Sequence, residues 1–178
     1  MILGLDVSTS ITGISVIDRD GEILLSEAWD MRNKRKFPTL FDKAKFIENK
    51  IRELKVNRSF LIEKIFIEES LQAFRPGFSS AKTILTLAKF NGIVSYICNR
   101  TYGIRPEYVG ATSARKLCGI KVERGKKAKQ VVLNFLLDNE PAFKVQYTRQ
   151  GNPKPGVHDR ADALIVARAG LTIWNKKS

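Results

Sequence analysis

The chain opens with two apolar runs joined by a short polar turn, and this pattern constrains the fold more than any other feature. The segment is ILGLDVSTSITGISVID, Ile2 to Asp18. Apolar runs of this length, bounded by turn residues, predict a buried strand that is followed, after a turn at 8–10, by a second strand over 14–17. One acid, Asp6, lies inside the first strand, where burial is unfavourable unless the carboxylate is paired or binds a metal. The alternative is an acid that is solvated at the end of the strand.

The rest of the chain predicts a mixed α/β fold. A turn at 18–21 leads to a third strand over 22–29, so the first three strands form an antiparallel meander. Apolar residues at helical spacing predict a helix over 39–55, and the run KIFIE predicts a fourth strand, Lys64 to Glu68. Because a helix connects them, the fourth strand should run parallel to the first. Further elements are expected as a helix over 81–102, a strand over 107–110, and helices over 112–117, 126–137 and 159–174.

This order of elements predicts one domain, 1–178, in which helices flank a mixed five-stranded sheet. The chain has 31 basic and 18 acidic residues, and its net charge of +13 favours a polyanionic partner such as nucleic acid. It contains no apolar run of membrane-spanning length and no basic amphipathic helix with an exposed apolar face. Since it starts with an acid-containing strand and not with a signal segment, we expect a cytoplasmic protein without a membrane partner.

Carboxylates from separate segments are expected to meet at one edge of the sheet. Asp6 ends the first strand and Glu68, or its neighbour Glu69, ends the fourth, and parallel neighbours bring their carboxyl ends to the same edge. The last helix opens with HDRADAL, in which Asp159 and Asp162 share a face because they are three residues apart. The helix dipole also favours acids here, which explains Asp159 better than Asp162. Oxygen-only ligands suit Mg²⁺ or Mn²⁺, and two such ions about 4 Å apart would activate a water at a phosphodiester.

These segments resemble the motifs of the RuvC-like Holliday junction resolvases of the RNase H-like superfamily. LGLDVSTSITGISVID is similar to the family's first motif, FIEES to its second and HDRADALIVA to its closing helix. Gly92 and the stretch from TSARKLCG to KKAKQVV also follow the family's layout. The resemblance covers most of the chain and implies an RNase H-like fold. It implies catalytic and metal-binding roles for Asp6, Glu68, Asp159 and Asp162.

The resemblance also implies an activity and an assembly. A homodimer would nick two opposed strands of a four-way DNA junction and leave 5′-phosphates, using two Mg²⁺ ions per active site, for which Mn²⁺ can substitute, and no nucleotide cofactor. The family's lysine near the scissile phosphate falls at Lys126 or Lys127, of which Lys127 is taken as catalytic. The loop Ser70 to Ser80 is longer than in typical bacterial members, which leaves two candidates for the aromatic that probes the junction, Phe74 and Phe78. The alternative for either is packing under the loop. His158 either assists the ligands or caps the helix.

Basic residues are concentrated in the segments expected to flank the acidic edge. They are interpreted as phosphate contacts, which supply affinity with little sequence preference, although a merely solvated cluster is the alternative. A further basic loop, 33–36, is interpreted as a solvated turn. The predicted DNA-binding residues, besides the two aromatic candidates, are Arg75, Lys82, Arg115, Lys116, Lys121, Arg124, Lys126 and Lys129.

Three other functions remain open from the sequence. A related RNase H-like nuclease could act on flaps, other branched DNA or RNA; an actin-like ATP-binding protein would need a second domain; and a non-enzymatic DNA-binding protein would not need the acids. The helix over 81–102 could bury a stripe formed by Ile84, Leu85, Ala88, Gly92, Ser95 and Tyr96. Its remaining apolar surface makes it the candidate dimer interface, through Ile84, Leu87, Ile93, Val94 and Ile97, and the alternative is a helix that is buried within a monomer.

Overall fold

The computed structural model describes residues 1–69 and 80–177. Within them the strands are β1 (Ile2–Asp6), β2 (Ile11–Ile17), β3 (Ile23–Asp30), β4 (Lys64–Glu68) and β5 (Glu107–Val109). The helices are α1 (Leu40–Val56), α2 (Ala81–Tyr102), α3 (Ala111–Leu117), α4 (Ala128–Asn139) and α5 (Val157–Lys177). The predicted order of elements is confirmed. The largest differences are a second strand that begins three residues earlier than expected and a last helix that extends three residues further.

The sheet has the strand order β3-β2-β1-β4-β5. β2 is antiparallel to both of its neighbours, whereas β1 and β4, and β4 and β5, are parallel. The mixed sheet expected from the sequence is therefore confirmed. All strands except β2 run in one direction, so their carboxyl ends lie along one edge, which includes Asp6, Asp30 and Glu68. We call this the carboxylate edge.

Alternation along the strands sends side chains to two cores, one on each face of the sheet. Leu3 and Leu5 pack with α1 and α2, whereas Ile2 and Phe66 pack with α3, α4 and α5. No helix in the described part of the chain is both long and apolar enough to cross a membrane. The α/β class follows from these layers, since helices pack on both faces of the sheet.

The prediction of which residues of α2 are buried is wrong. Leu85 and Tyr96 are 60% and 63% exposed, and of the six expected residues only Ser95 is buried. The buried residues are Phe90, Asn91, Val94, Ser95, Ile97 and Cys98. The helix is apolar on several sides, so its packing against α1 and the sheet, and not its own pattern, decides which side is buried. Val94 and Ile97 belong to the core and are not available to a partner subunit, as the predicted dimer interface required.

Candidate active site

Two acids occupy equivalent positions at the ends of neighbouring parallel strands. Leu5 of β1 is paired with Ile67 of β4, so Asp6 and Glu68, the next residues, emerge side by side at the carboxylate edge. The end of β4 is held from α2, because the buried amide of Asn91 donates from Nδ2 to the backbone oxygen of Glu68 at 3.1 Å. The two carboxylates thus project from fixed backbone.

The other two acids reach this edge because α5 lies directly on the backbone of the sheet. A Cβ added at Gly13 would be 1.8 Å from the carbonyl oxygen of Asp159, and one added at Gly4 would be 2.5 Å from that of Ala163. Glycine in β1 and β2 therefore allows a contact that any side chain would block. This close approach brings the first turns of α5, with Asp159 and Asp162, beside Asp6.

Asp6 lies in surroundings that oppose its negative charge. Burial raises its pKa well above the usual range, and the negative charges of Glu68, Asp162 and Asp159 raise it further, while Lys129 partly opposes them. A carboxylate in these surroundings is stable when it is protonated or when a cation lies beside it.

Glu68 and Asp162 respond in the same way. Burial and the charge of Asp162 raise the pKa of Glu68 to about 7, although Lys129 and Arg115 lower it. Burial also raises the pKa of Asp162, against the opposing effect of Lys129 and with a further increase from Asp159. The carboxylates therefore interact as a group, even though they come from β1, β4 and α5.

Lys129, in the first turn of α4, faces this group. Its Nζ lies 3.7 Å from Oδ2 of Asp162. Partial burial acts to lower the pKa of Lys129, but attraction to the four carboxylates, led by Asp162 and Asp159, raises it on balance. The ammonium therefore remains charged and places a fixed positive group at the carboxylate edge.

Solved structures of Holliday junction resolvases share this architecture. Thermus thermophilus RuvC in complex with a Holliday junction substrate matches with a TM-score of 0.67 and 16% identity, over 98% of this chain and 95% of that chain. A further Thermus thermophilus RuvC structure matches with a TM-score of 0.60 and 16% identity, over 99% and 96% of the two chains. The yeast mitochondrial Holliday junction resolvase Ydc2 matches with a TM-score of 0.60 and 15% identity, over 96% of this chain and 77% of that chain. The chain has a RuvC-like fold.

The RuvC-like fold confirms the architecture that the motifs implied. At 15–16% identity, what these proteins share with the chain is the fold. No protein-family model matches the chain. No curated protein matches it either. The roles of individual residues therefore rest on the geometry of the carboxylate edge.

The ligand atoms available at this edge are of the type that a hard divalent cation prefers. They are carboxylate oxygens only, which Mg²⁺ and Mn²⁺ prefer. Burial, and then the charges of Glu68, Asp162 and Asp159, raise the pKa of Asp6, and Lys129 opposes them only in part. Among residues 1–69 and 80–177, no three His, Cys, Asp or Glu side chains are gathered closely enough to hold one ion as they stand. Asp6, Glu68, Asp159 and Asp162 are the residues that would hold a cation.

The remaining predicted residues lie around this group. Lys127, expected to be catalytic, is the N-cap residue of α4 and is exposed, whereas Lys129, expected to bind DNA, pairs with Asp162. Arg115 of α3 acts on both Glu68 and Asp162. The other predicted DNA-binding lysines and arginines within the described residues are exposed. They lie at the start of α2, at the end of α3 and before α4: Lys82, Lys116, Lys121, Arg124 and Lys126. Phe74, Arg75 and Phe78 lie outside the described residues.

His158 and Glu69 were left open by the sequence. Nδ1 of His158 is buried and has no hydrogen-bond partner among the described residues. His158 also acts to lower the pKa of Asp162, so it lies near the acids. Glu69 is exposed and its Oε2 lies beside Gly110, the N-cap residue of α3, while its backbone N–H donates to the backbone oxygen of Val109 at 3.0 Å. Glu68 is thus the acid of this pair that faces the other carboxylates.

Sequence reasoning missed Asn91, which fixes the end of β4. The available signal was an amide within an apolar part of α2, because a buried polar side chain must find a partner. Ser95 supports the same region, since its hydroxyl lies 2.7 Å from the backbone oxygen of Asn91 and 2.6 Å from the hydroxyl of Tyr108.

Proposed function

We propose that the protein is a divalent-cation-dependent endonuclease that resolves four-way DNA junctions. The observation that carries the proposal is the meeting of four carboxylates from β1, β4 and α5 at one edge, with Lys129 paired against them. A strongly basic chain that gathers acids at one point is suited to a polyanionic substrate whose reacting group requires a cation.

The residues of the chain divide this work. Mg²⁺ ions held by the carboxylates would supply an activated water and stabilise the leaving oxygen of a phosphodiester. Asp6 and Glu68 project from rigid strand ends, so their side chains, and not the backbone, would move to meet a cation. Lys129 and Arg115 place positive charge where a phosphate would approach. Glu68, with a pKa of about 7 in the absence of cations, exchanges a proton on its carboxyl group near neutral pH.

We further propose paired cleavage by a homodimer, with 5′-phosphate products. A four-way junction has approximate two-fold symmetry, and closed two-fold dimers are the commonest oligomers. The apolar residues that remain accessible on the first turns of α2 are Ile84, Leu85 and Leu87. Ile84 and Leu87 belong to the predicted interface already, and the exposed Leu85 takes the place of the buried Val94 and Ile97.

The decisive experiment combines a substrate panel with a matched pair of variants. Labelled four-way junction, flap, duplex and RNA–DNA hybrid are incubated with Mg²⁺ and the wild-type protein, Asp6→Asn or Asp138→Asn. Asp138 is an exposed acid near the end of α4 and serves as the control. Wild type and Asp138→Asn are expected to cut the junction with paired nicks, whereas Asp6→Asn binds it without cutting. Full cleavage by Asp6→Asn would remove that residue from the site, and cleavage of flaps or hybrids in preference to junctions would favour the related nuclease function.

A further inference from the structure

A basic loop leaves the sheet at the β3 end of the carboxylate edge. It spans residues 31–39, between β3 and α1. Since β3 and β1 are both antiparallel to β2, the end of β3 lies at the same edge as Asp6. Lys34, Arg35 and Lys36 in this loop are exposed. We call these three residues the β3 loop cations.

The backbone of this loop is fixed by packing at both ends and by a capped turn between them. Met31 is fully buried and Phe37 is 6% exposed. The Oδ1 atom of Asn33 accepts hydrogen bonds from the backbone N–H groups of Arg35 at 3.0 Å and Lys36 at 3.1 Å. A preorganised turn loses less conformational entropy when a ligand binds than a flexible one does.

The charges at the tip of the loop are not compensated. Arg32 is not one of these uncompensated charges, because it forms an ion pair with Asp30 at 2.6 Å. Within residues 1–69 and 80–177, Lys34 and Arg35 have no acidic partner within ion-pair distance. The ammonium of Lys36 lies 5.4 Å from the ring centroid of Phe37. A shallow depression of about 550 Å³ is lined by Asp30, Arg32, Asn33, Lys36 and Phe37.

The position of the loop places positive charge at both ends of the carboxylate edge. Arg115 and Lys129 lie on one side, beside Glu68 and Asp162. The loop lies on the other side, at β3, which is two strands from β1. Two strand spacings amount to about 10 Å, so one nucleic-acid strand is long enough to contact both the loop and the carboxylates. A linear polyanion laid across the edge would meet cations, then carboxylates, then cations.

We propose that the β3 loop cations bind the phosphate backbone of nucleic acid beside the bond held at the carboxylates. The proposal rests on the proposed nuclease function and adds a second contact surface to it. Contacts of this kind supply affinity without sequence preference and position the substrate over the site. The loop thereby acts on how the strand is held, and not on the chemistry of cleavage.

The test compares two double variants that remove the same charge. Lys34→Ala with Arg35→Ala removes two loop cations and keeps Asn33, which holds the turn. Arg100→Ala with Arg105→Ala is the control, because both arginines are exposed near the end of α2, at the opposite edge of the sheet. Affinity for a four-way junction and for linear duplex is measured by fluorescence anisotropy in EDTA, between about 0.05 and 0.3 M salt.

The loop variant should lower the slope of log affinity against log salt by about 2, since each lost phosphate contact lowers it by about 1. At about 0.1 M salt this corresponds to about 60-fold weaker binding, and the difference should shrink as salt approaches about 1 M. The control variant should keep the wild-type slope and affinity.

Three results would overturn the proposal: a loop variant with the wild-type slope, an equal loss in the control variant, or weaker binding of the loop variant to anionic phospholipid vesicles with unchanged binding to DNA. The nuclease function is judged separately by cleavage. If the wild-type protein cuts no branched DNA but the loop variant still shows the lower slope of log affinity against log salt on duplex, the proposed nuclease function fails and the assignment of the loop stands.

Discussion

Glu68→Gln is expected to stabilise the metal-free protein at alkaline pH. Burial, and then the charge of Asp162, raise the pKa of Glu68 from the 4.5 of a free glutamate to about 7. When the pKa of a carboxyl group is higher in the folded state than in the unfolded state, the group stabilises the fold only while it is protonated. This stability is fully present below about pH 4.5 and is lost as the pH rises through about 7.

The size of the effect follows from this difference in pKa. At about 1.4 kcal/mol per pH unit, the wild-type protein loses at most about 3 kcal/mol from Glu68 above about pH 8. Glutamine carries no charge, so the variant should match wild type near pH 4.5 and exceed it by up to about 3 kcal/mol above pH 8, or about 6–12 °C in Tm for a domain of this size. Burial and neighbouring charges also raise the pKa values of Asp6 and Asp162, so both groups add to the wild-type pH dependence in the same direction.

The assay is thermal and urea unfolding in EDTA, from about pH 4.5 to 9. Glu123→Gln is the control, because Glu123 is exposed in the segment between α3 and α4 and should leave the wild-type curve unchanged. Mg²⁺ at about 100 times its Kd should then return about 2.7 kcal/mol to the wild-type protein, and less to Glu68→Gln. The reasoning fails if Glu68→Gln is no more stable than wild type at alkaline pH, since the ionised carboxylate would then not destabilise the folded state.

Three further predictions concern packing, the lysine and assembly. Gly13→Ala should lower the free energy of unfolding by about 3 kcal/mol, because the added Cβ would collide with α5, whereas Gly92→Ala, which meets nothing within 4 Å, should raise it by up to about 1 kcal/mol in urea unfolding. Lys129→Met should reduce the rate of single-turnover cleavage at least about tenfold, whereas Lys127→Met should not. The opposite result would return the catalytic role to Lys127, as the sequence predicts. Light scattering should give a mass of about 40 kDa for the wild-type protein, twice the chain mass of 20.1 kDa. Leu85→Glu should halve the measured mass. A wild-type protein that is monomeric with and without junction DNA would contradict the dimer.

The sequence was sufficient for the sheet because its strands are short apolar runs between strong turn signals. The positions of Asp6 and Glu68 follow from the parallel crossover through α1, and the pair Asp159 and Asp162 follows from helical spacing. These are local patterns, and the topology rules for parallel strands extend them to a shared edge.

The sequence was insufficient where packing decides between similar residues. α2 is apolar on several sides, so its buried face depends on where α1 and the sheet lie against it. The segment KKAK offers three lysines within four positions, and only the start of α4 at Ala128 determines that Lys129 faces Asp162. Helix ends are the least predictable part of an element. Phe74 and Phe78 lie outside the described residues, and their assignment stays a prediction.

The packing that holds the carboxylates together does not depend on the carboxylates themselves. Ala163 and Ala167 of α5 are fully buried, and they lie against Gly4 so closely that neither the helix nor the strand can shift without loss of the contact. Asp159 and Asp162 are carried to Asp6 by this apolar contact, against the repulsion among their charges. The core therefore maintains an unfavourable concentration of negative charge, which the binding of a cation would relieve. By the same reasoning, Asp6→Asn should leave the fold intact, since it removes repulsion and no packing.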